Sequence, residues 1–291
     1  MSNGTLLSLF AETPLHPGAG QSADVIDLPV ARERTTGLPQ IPDTGLKGAM
    51  RQWADERWPG KKGENESEDQ KTSSDKVRAL FGSADEGAGA LMISSARLLC
   101  LPVRRLDGPY AWATTPFLLE RLRRDSARCG CNLTLPTPQP KAGNTPELLM
   151  SSPAAGTVFL EEYSFEPKTY DQMGKIRDAI ESLLAAHEDT KNRILNQLVI
   201  MSDEEFAWFA ANALPVNARN SLDENKMSQN LWYEETIPPD ALFYSVILPR
   251  HEGLRGLYDE FLLELTEAKY LQIGGNETVG QGWVQVTTHG A

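Results

Sequence analysis

Residues 269–286 read KYLQIGGNETVGQGWVQV. The two ends, 270–273 and 283–287, carry aromatic and β-branched residues and read as strands. Between them four glycines, Gly274, Gly275, Gly280 and Gly282, fall within nine residues. Glycine has no Cβ, so backbone amides in such a loop can approach a phosphate closely. The same composition also suits a plain hairpin loop with left-handed glycines. The spacing is not G-x-G-x-x-G and lacks G-K-[ST], which excludes the nucleotide-hydrolysis motifs. Immediately upstream, 253–267 has helical periodicity and 241–248 (ALFYSVIL) reads as a buried strand.

The order of elements elsewhere is equally mixed. Residues 6–11 read as a strand and run into 13–20 (TPLHPGAG), which two prolines and two glycines make an exposed loop. Residues 25–30 (VIDLPV) are an edge strand or loop, because Pro29 cannot donate a ladder bond. After an extended piece at 37–42, a helix capped by Asp43 or Thr44 runs to about residue 58. Residues 59–76 hold no large apolar residue and read as a flexible insertion. A short helix is expected at 77–81, one long extended run at 90–103, and a partner strand at 110–115. Pro116 opens a helix over 117–128. Residues 130–156 are Pro-rich and read as an irregular insertion. A strand at 158–165, an amphipathic helix at 171–188 and another helix at 203–213 follow. Residues 214–220 and 231–237 are extended on either side of a polar tip, SLDENKMSQN. Regular βαβ spacing is absent, so the fold class is α+β.

Composition narrows function. The 291 residues hold 28 Lys and Arg against 40 Asp and Glu, a net charge of −12, which argues against a diffuse cationic surface for nucleic acid. No apolar run suits a membrane helix, and the N-terminus has no leader pattern. Three cysteines fit a reducing cytosol, and Cys129-Gly130-Cys131 has no partner pair for zinc. Of four histidines, His187 and His251 read as surface residues of helices and His289 as part of a frayed tail.

Several clusters have chemical potential. In 45–51 (GLKGAMR), Lys47 and Arg51 share a helical face and read either as a phosphate cradle or as a solvated face. The helix 117–128 carries four Arg against two acids and is a candidate phosphate or partner surface. His16, Asp24, Asp27 and the pair Glu234-Glu235 match no hydrolytic triad or zincin pattern.

Taken in order, these pieces resemble a known family. Residues 13–51, together with TTPFLLERLRRD, LWYEETIPPDALFYSVIL and the terminal glycine loop, resemble the backbone subunit of type III-B CRISPR effector (Cmr) complexes, a branch of the RAMP superfamily. The resemblance implies one RAMP-type domain over 1–291. Its core would be a modified ferredoxin-like, RNA-recognition-motif-like sheet, elaborated by the insertions and by a β-hairpin thumb at about 214–237. It implies a cytoplasmic, filament-forming subunit that stacks head-to-tail with its own copies beside other Cmr subunits. Such a subunit binds CRISPR guide RNA and cuts complementary single-stranded target RNA at regular intervals, with no membrane involved. It further implies a divalent cation such as Mg²⁺, recruited with the RNA. The catalytic Asp matches Asp27, as general base or metal ligand, while His16 and Glu234 match further residues of that site. Lys47 matches a guide contact, and Arg51, Gly274, Gly275, Gly280 and Gly282 are assigned to RNA binding. The alternative is a purely structural guide-binding subunit without cleavage. In either case the net acidity is no obstacle, because the contacts use local devices and acidic residues can lie away from the RNA.

Overall fold

Every residue of the strand Thr5–Ala11 is buried, so it has no solvent face. It lies between Leu242–Pro249 and Trp283–His289, antiparallel to both, with Leu9 opposite Phe243 on one side and Val286 on the other. Ala96–Val103 pairs antiparallel with the outer side of Leu242–Pro249, and Ala111–Thr114 follows antiparallel. The sheet continues through Leu198–Ile200, Glu147–Met150, Tyr163–Thr169 and Val158–Leu160, with two parallel junctions. Tyr270–Gln272 closes the other edge. This twelve-stranded mixed sheet comes from a computed structural model that describes residues 4–22, 25–60, 73–85, 87–152 and 156–290.

Side chains alternate across a strand, so Thr5 and Ser8 point to opposite faces. On the Thr5 face, Tyr258 of the helix Arg255–Ala268 reaches Thr5 Oγ1 at 2.8 Å and Ile247 O at 3.0 Å. There Phe261 meets Trp53, Trp58 and Phe81 edge-on, with centroids 5.9, 6.1 and 5.4 Å away. These contacts fasten Asp43–Arg57 and Asp75–Phe81 to the same layer. On the Ser8 face, Tyr244 donates to buried Asp125 of the helix Pro116–Arg128 at 3.0 Å, and Arg97 pairs with the same carboxylate. Apolar material on both faces explains why these strands read as continuous hydrophobic runs.

The structure corrects several expectations. The first helix is preceded by Pro42 with no side-chain cap, so neither Asp43 nor Thr44 caps it. The run at 90–103 breaks at Ser94, whose hydroxyl accepts the Val246 N–H at 2.9 Å; Leu91–Ile93 and Ala96–Val103 flank the break. The segment 158–165 turns at Glu161, with φ of 48°, into a hairpin. The helix expected at 171–188 stops at Glu181, and a separate one spans Glu188–Leu195. The Pro-rich stretch 130–156 contains the strand Glu147–Met150, whose last three residues are buried. Most of the expected insertion at 59–76, residues 61–72, lies outside the described residues; the next helix begins at Asp75 with Ser74 as its cap. His289 belongs to the last strand, opposite Leu6, and is not frayed. His187 and His251 are exposed, as expected, but each stands just before a helix instead of within one.

Candidate functional site

Apart from the main sheet stands a two-stranded hairpin, Val216–Leu222 with Ser228–Glu235. Leu222, Met227, Leu231 and Tyr233 are exposed on it, so the hairpin is not held by a core of its own. Its base is bound to the body by two loops. Leu15 and Ile237 exchange backbone hydrogen bonds of 3.0 and 2.8 Å. Leu28 donates to Tyr233 O at 3.1 Å and accepts from Glu235 N at 3.0 Å. The loops also pair with each other: Ala31 donates to Pro17 O at 2.7 Å and Ala19 to Pro29 O at 3.1 Å. Pro29 thus sits where its missing N–H costs nothing.

Three sequence-selected residues meet at this base. Asp27 is half-buried, and its Oδ2 accepts the Tyr233 N–H at 2.8 Å. Its other oxygen has no protein partner among the described residues. It lines an open cleft of about 400 Å³ with Gln21, Ser22, Leu28, Asn230, Leu231 and Trp232. His16 is buried, with Nδ1 2.8 Å from Glu235 O. A carbonyl only accepts, so Nδ1 carries the proton and Nε2 is the ring's remaining position. Glu234 is buried, and its Oε1 accepts from Asn276 Nδ2 at 2.5 Å and Arg219 Nη2 at 3.2 Å. It therefore ties the hairpin to the glycine loop.

The glycine loop packs on His16. Gly275 N–H donates to His16 O at 2.9 Å, and Gly282 N–H to Pro14 O at 2.9 Å. Gly274 has φ of +92°, and a Cβ there would lie 2.7 Å from His16 O. Gly282 has φ of +91°, with a Cβ 2.5 Å from Ile273 O. Gly280 N–H donates to Glu277 O at 3.0 Å, closing a turn in open space. Three of the four amides are engaged internally, so the glycines answer first to packing.

The other cationic candidates separate. Lys47 is half-exposed, and its ammonium makes no hydrogen bond or ion pair among the described residues. Arg51, one turn on, donates to Gly82 O at 3.0 Å and lies 3.8 Å from Asp55, so it braces the body. In the helix Pro116–Arg128, Arg121 is buried against Glu33, while Arg124 and Arg128 pair with Glu120 and Asp125. Only Arg123 of those four has no partner among the described residues, so the helix is not an open cationic face. Asp24 lies outside the described residues. Sequence reasoning missed Arg219, Asn276 and Arg32. Asn276 stands in the quoted glycine loop, but its αL backbone and its reach to Glu234 exist only once the chain ends have met.

No group of three or more His, Cys, Asp or Glu among the described residues is set to hold a metal ion. At the hairpin base, among the described residues, Asp27 offers one carboxylate oxygen free in the open cleft. That donor set does not make a closed cage; it suits a largely hydrated Mg²⁺, which is held by one or two carboxylates plus phosphate oxygens.

An α+β sheet joined at both chain ends to a projecting hairpin, with polar loops gathered at its base, defines a class: the chain belongs to the RAMP superfamily, whose family model matches residues 9–285. Within that class it is 33% identical to the CRISPR system Cmr endoribonuclease Cmr4 of Pyrococcus furiosus, over 97% of this chain and 94% of the relative. The crystal structure of oligomeric Cmr4 from Pyrococcus furiosus superposes with a TM-score of 0.74 at 30% identity, covering 100% of this chain and 99% of that one. A chain of a type III-B Cmr-beta complex bound to cognate target RNA shares the fold at 20% identity, with a TM-score of 0.73 over 99% and 97% of the two chains.

Proposed function

We propose that this chain is the repeating backbone subunit of a type III-B CRISPR ribonucleoprotein. It binds guide RNA, stacks with copies of itself beside other Cmr subunits, and cuts complementary single-stranded target RNA at regular intervals. The observation that carries the reading is the convergence of Asp27 and His16 on the hairpin base, in a chain so similar to a named Cmr endoribonuclease.

The core is read as one ferredoxin-like unit over the chain, with the hairpin as its thumb. Its support is the antiparallel neighbour order Trp283–His289, Thr5–Ala11, Leu242–Pro249, Ala96–Val103. Helix Asp43–Arg57 lies in sequence between the second and last of these strands, and helix Arg255–Ala268 between the third and first. In this reading the hairpin, with its exposed Leu222, Met227 and Leu231, parts the RNA strands and splays one nucleotide beside Asp27.

Cutting follows from geometry more than from strong acid–base groups. A splayed nucleotide brings its 2′-OH in line with the adjacent phosphate, and this orientation supplies much of the acceleration. The free oxygen of Asp27 accepts the 2′-OH proton as the 2′-oxygen bonds to phosphorus and the P–O5′ bond breaks; the departing 5′-oxygen takes a proton from water in the open cleft, leaving a cyclic phosphate and a 5′-hydroxyl. Tyr233 N–H fixes the carboxylate while it does so. In the alternative role, Asp27 would instead be a ligand for Mg²⁺ recruited with the RNA, which would neutralise phosphate charge. His16 orients the loop through its Glu235 contact. Lys47 meets a guide phosphate, and the surface of the glycine loop lies along the RNA, while Arg51 braces the helix that carries Lys47 through Gly82 O.

The test is single-turnover cleavage of complementary RNA by the reconstituted complex with Mg²⁺. Asp27→Ala is expected to assemble and bind target normally while losing cutting by about 100-fold or more, as for a general base. Retained cutting at the regular positions would sink the catalytic assignment of Asp27, whereas no cutting by the wild-type complex would leave the structural-subunit reading.

A further inference from the structure

Of the two adjacent acids in the sequence WYEE, the geometry points to Glu235 as the positioning residue of the cleavage loop, acting with Arg32. This rests on the cleavage reading of Asp27. Strand alternation turns Glu234 away from Tyr233 and Glu235, toward the glycine loop. Glu235 instead serves the two loops that carry Asp27 and His16 with all four of its polar groups. Its backbone N–H donates to Leu28 O at 3.0 Å, and its carbonyl accepts His16 Nδ1 at 2.8 Å. Its Oε2 accepts the Val30 N–H at 3.0 Å, and its Oε1 pairs with Arg32 Nη2 at 2.6 Å. The residue is only 3% exposed.

Arg32 carries that hold into the body of the protein. Its Nη1 donates to Ala210 O at 2.6 Å, at the end of the helix Asp203–Asn212, and to Gly37 O at 3.0 Å. A continuous path therefore runs from helix to guanidinium to carboxylate to the Val30 amide, three residues past Asp27. Residues 25–32 are otherwise held by the bonds at Leu28, the short bridges to residues 17–19, the Ser22 N–H to Asp27 O bond of 2.9 Å, and the bridge of Ala31 and Arg32 to Pro39 and Gln40; between Leu28 and Ala31 the carboxylate of Glu235 is what fixes the Val30 amide. A buried carboxylate that is bonded at both oxygens has one geometry, and it transmits that geometry to what it holds.

The experiment compares Glu235→Ala, Glu235→Gln and Arg32→Met in reconstituted complexes under single-turnover conditions, with Asp27→Ala and wild type alongside. Glu235→Ala is expected to slow cutting by about 100-fold, the scale of an ångström-level misplacement, with target affinity within about twofold. Glu235→Gln keeps an acceptor for the Val30 N–H and should recover most of that loss; Arg32→Met should fall between them. Wild-type cutting by Glu235→Ala would overturn the proposal, and so would a loss of target binding equal to the loss of rate. Hydrogen exchange on the isolated chain judges the positioning role without any cutting. Residues 25–32 should exchange faster in Glu235→Ala and Arg32→Met, while Thr5–Ala11 stays protected. Unchanged exchange at 25–32, or faster exchange throughout, would overturn it. If wild type does not cut, the cleavage reading fails separately, and the exchange result still decides the role of Glu235.

Discussion

Replacing Gly274 with alanine tests whether the glycine loop is shaped by His16. The site has φ of +92°, and the added methyl would stand 2.7 Å from His16 O and 3.0 Å from His16 C. The backbone conformation alone costs an L-residue about 1–3 kcal/mol. The contact is with backbone, which cannot swing aside, and overpacking of that kind adds about 1–3 kcal/mol. Together the expected loss is about 2–6 kcal/mol. Gly280 is the matched control: its φ is +80°, but a Cβ there meets nothing within 4 Å. Gly280→Ala should therefore lose only the conformational part, about 1–3 kcal/mol. Urea unfolding of the isolated variants measures the difference. With a slope of about 3 kcal/mol/M, a 2 kcal/mol gap moves the midpoint by about 0.7 M. Equal midpoints for the two variants would refute the claim that His16 dictates the loop.

Two further outcomes follow from other sites. Lys47→Ala should weaken guide binding and lower its salt slope by about one counterion, while leaving the isolated chain's urea midpoint unchanged; an unchanged slope would remove Lys47 from the phosphate contacts. Burial lowers the His289 pKa from its ordinary value near 6.5. The folded state then binds fewer protons than the unfolded one between the two pKa values, so the neutral ring's contribution is full above about pH 6.5 and declines as pH falls through that window. His289→Asn should flatten that decline, read as urea midpoints at pH 7.5 and pH 5; a wild-type slope in the variant would count against it.

The pattern of legible and illegible elements has a physical basis. ALFYSVIL and the strand at the N-terminus were readable because both faces are buried and the apolar run is continuous. The strand Glu147–Met150 was not, because four residues between prolines and polar turns carry no period, and its neighbours come from residues 163–169 and 198–200. The helix expected at 171–188 has the right spacing, yet Leu183 and Leu184 are buried in the break between two helices, where packing outweighs periodicity. Arg121 and Arg51 look like surface cations in the sequence. Their partners, Glu33 and Gly82 O, lie 88 and 31 residues away.

Sequence alone determined the α+β class, a hairpin within 214–237 and the glycine loop, and it singled out Asp27 as a candidate. Those features are local in composition and turn chemistry, or are carried by family resemblance. Tertiary structure decided which neighbours each of these residues has. Asp27, His16, Glu234 and Glu235 meet because the hairpin base closes onto two loops more than 200 residues away, and Asn276 reaches Glu234 across a further 42. Backbone hydrogen bonds between distant segments depend on the sheet that brings the chain ends together. No local pattern encodes which amide will face which carboxylate.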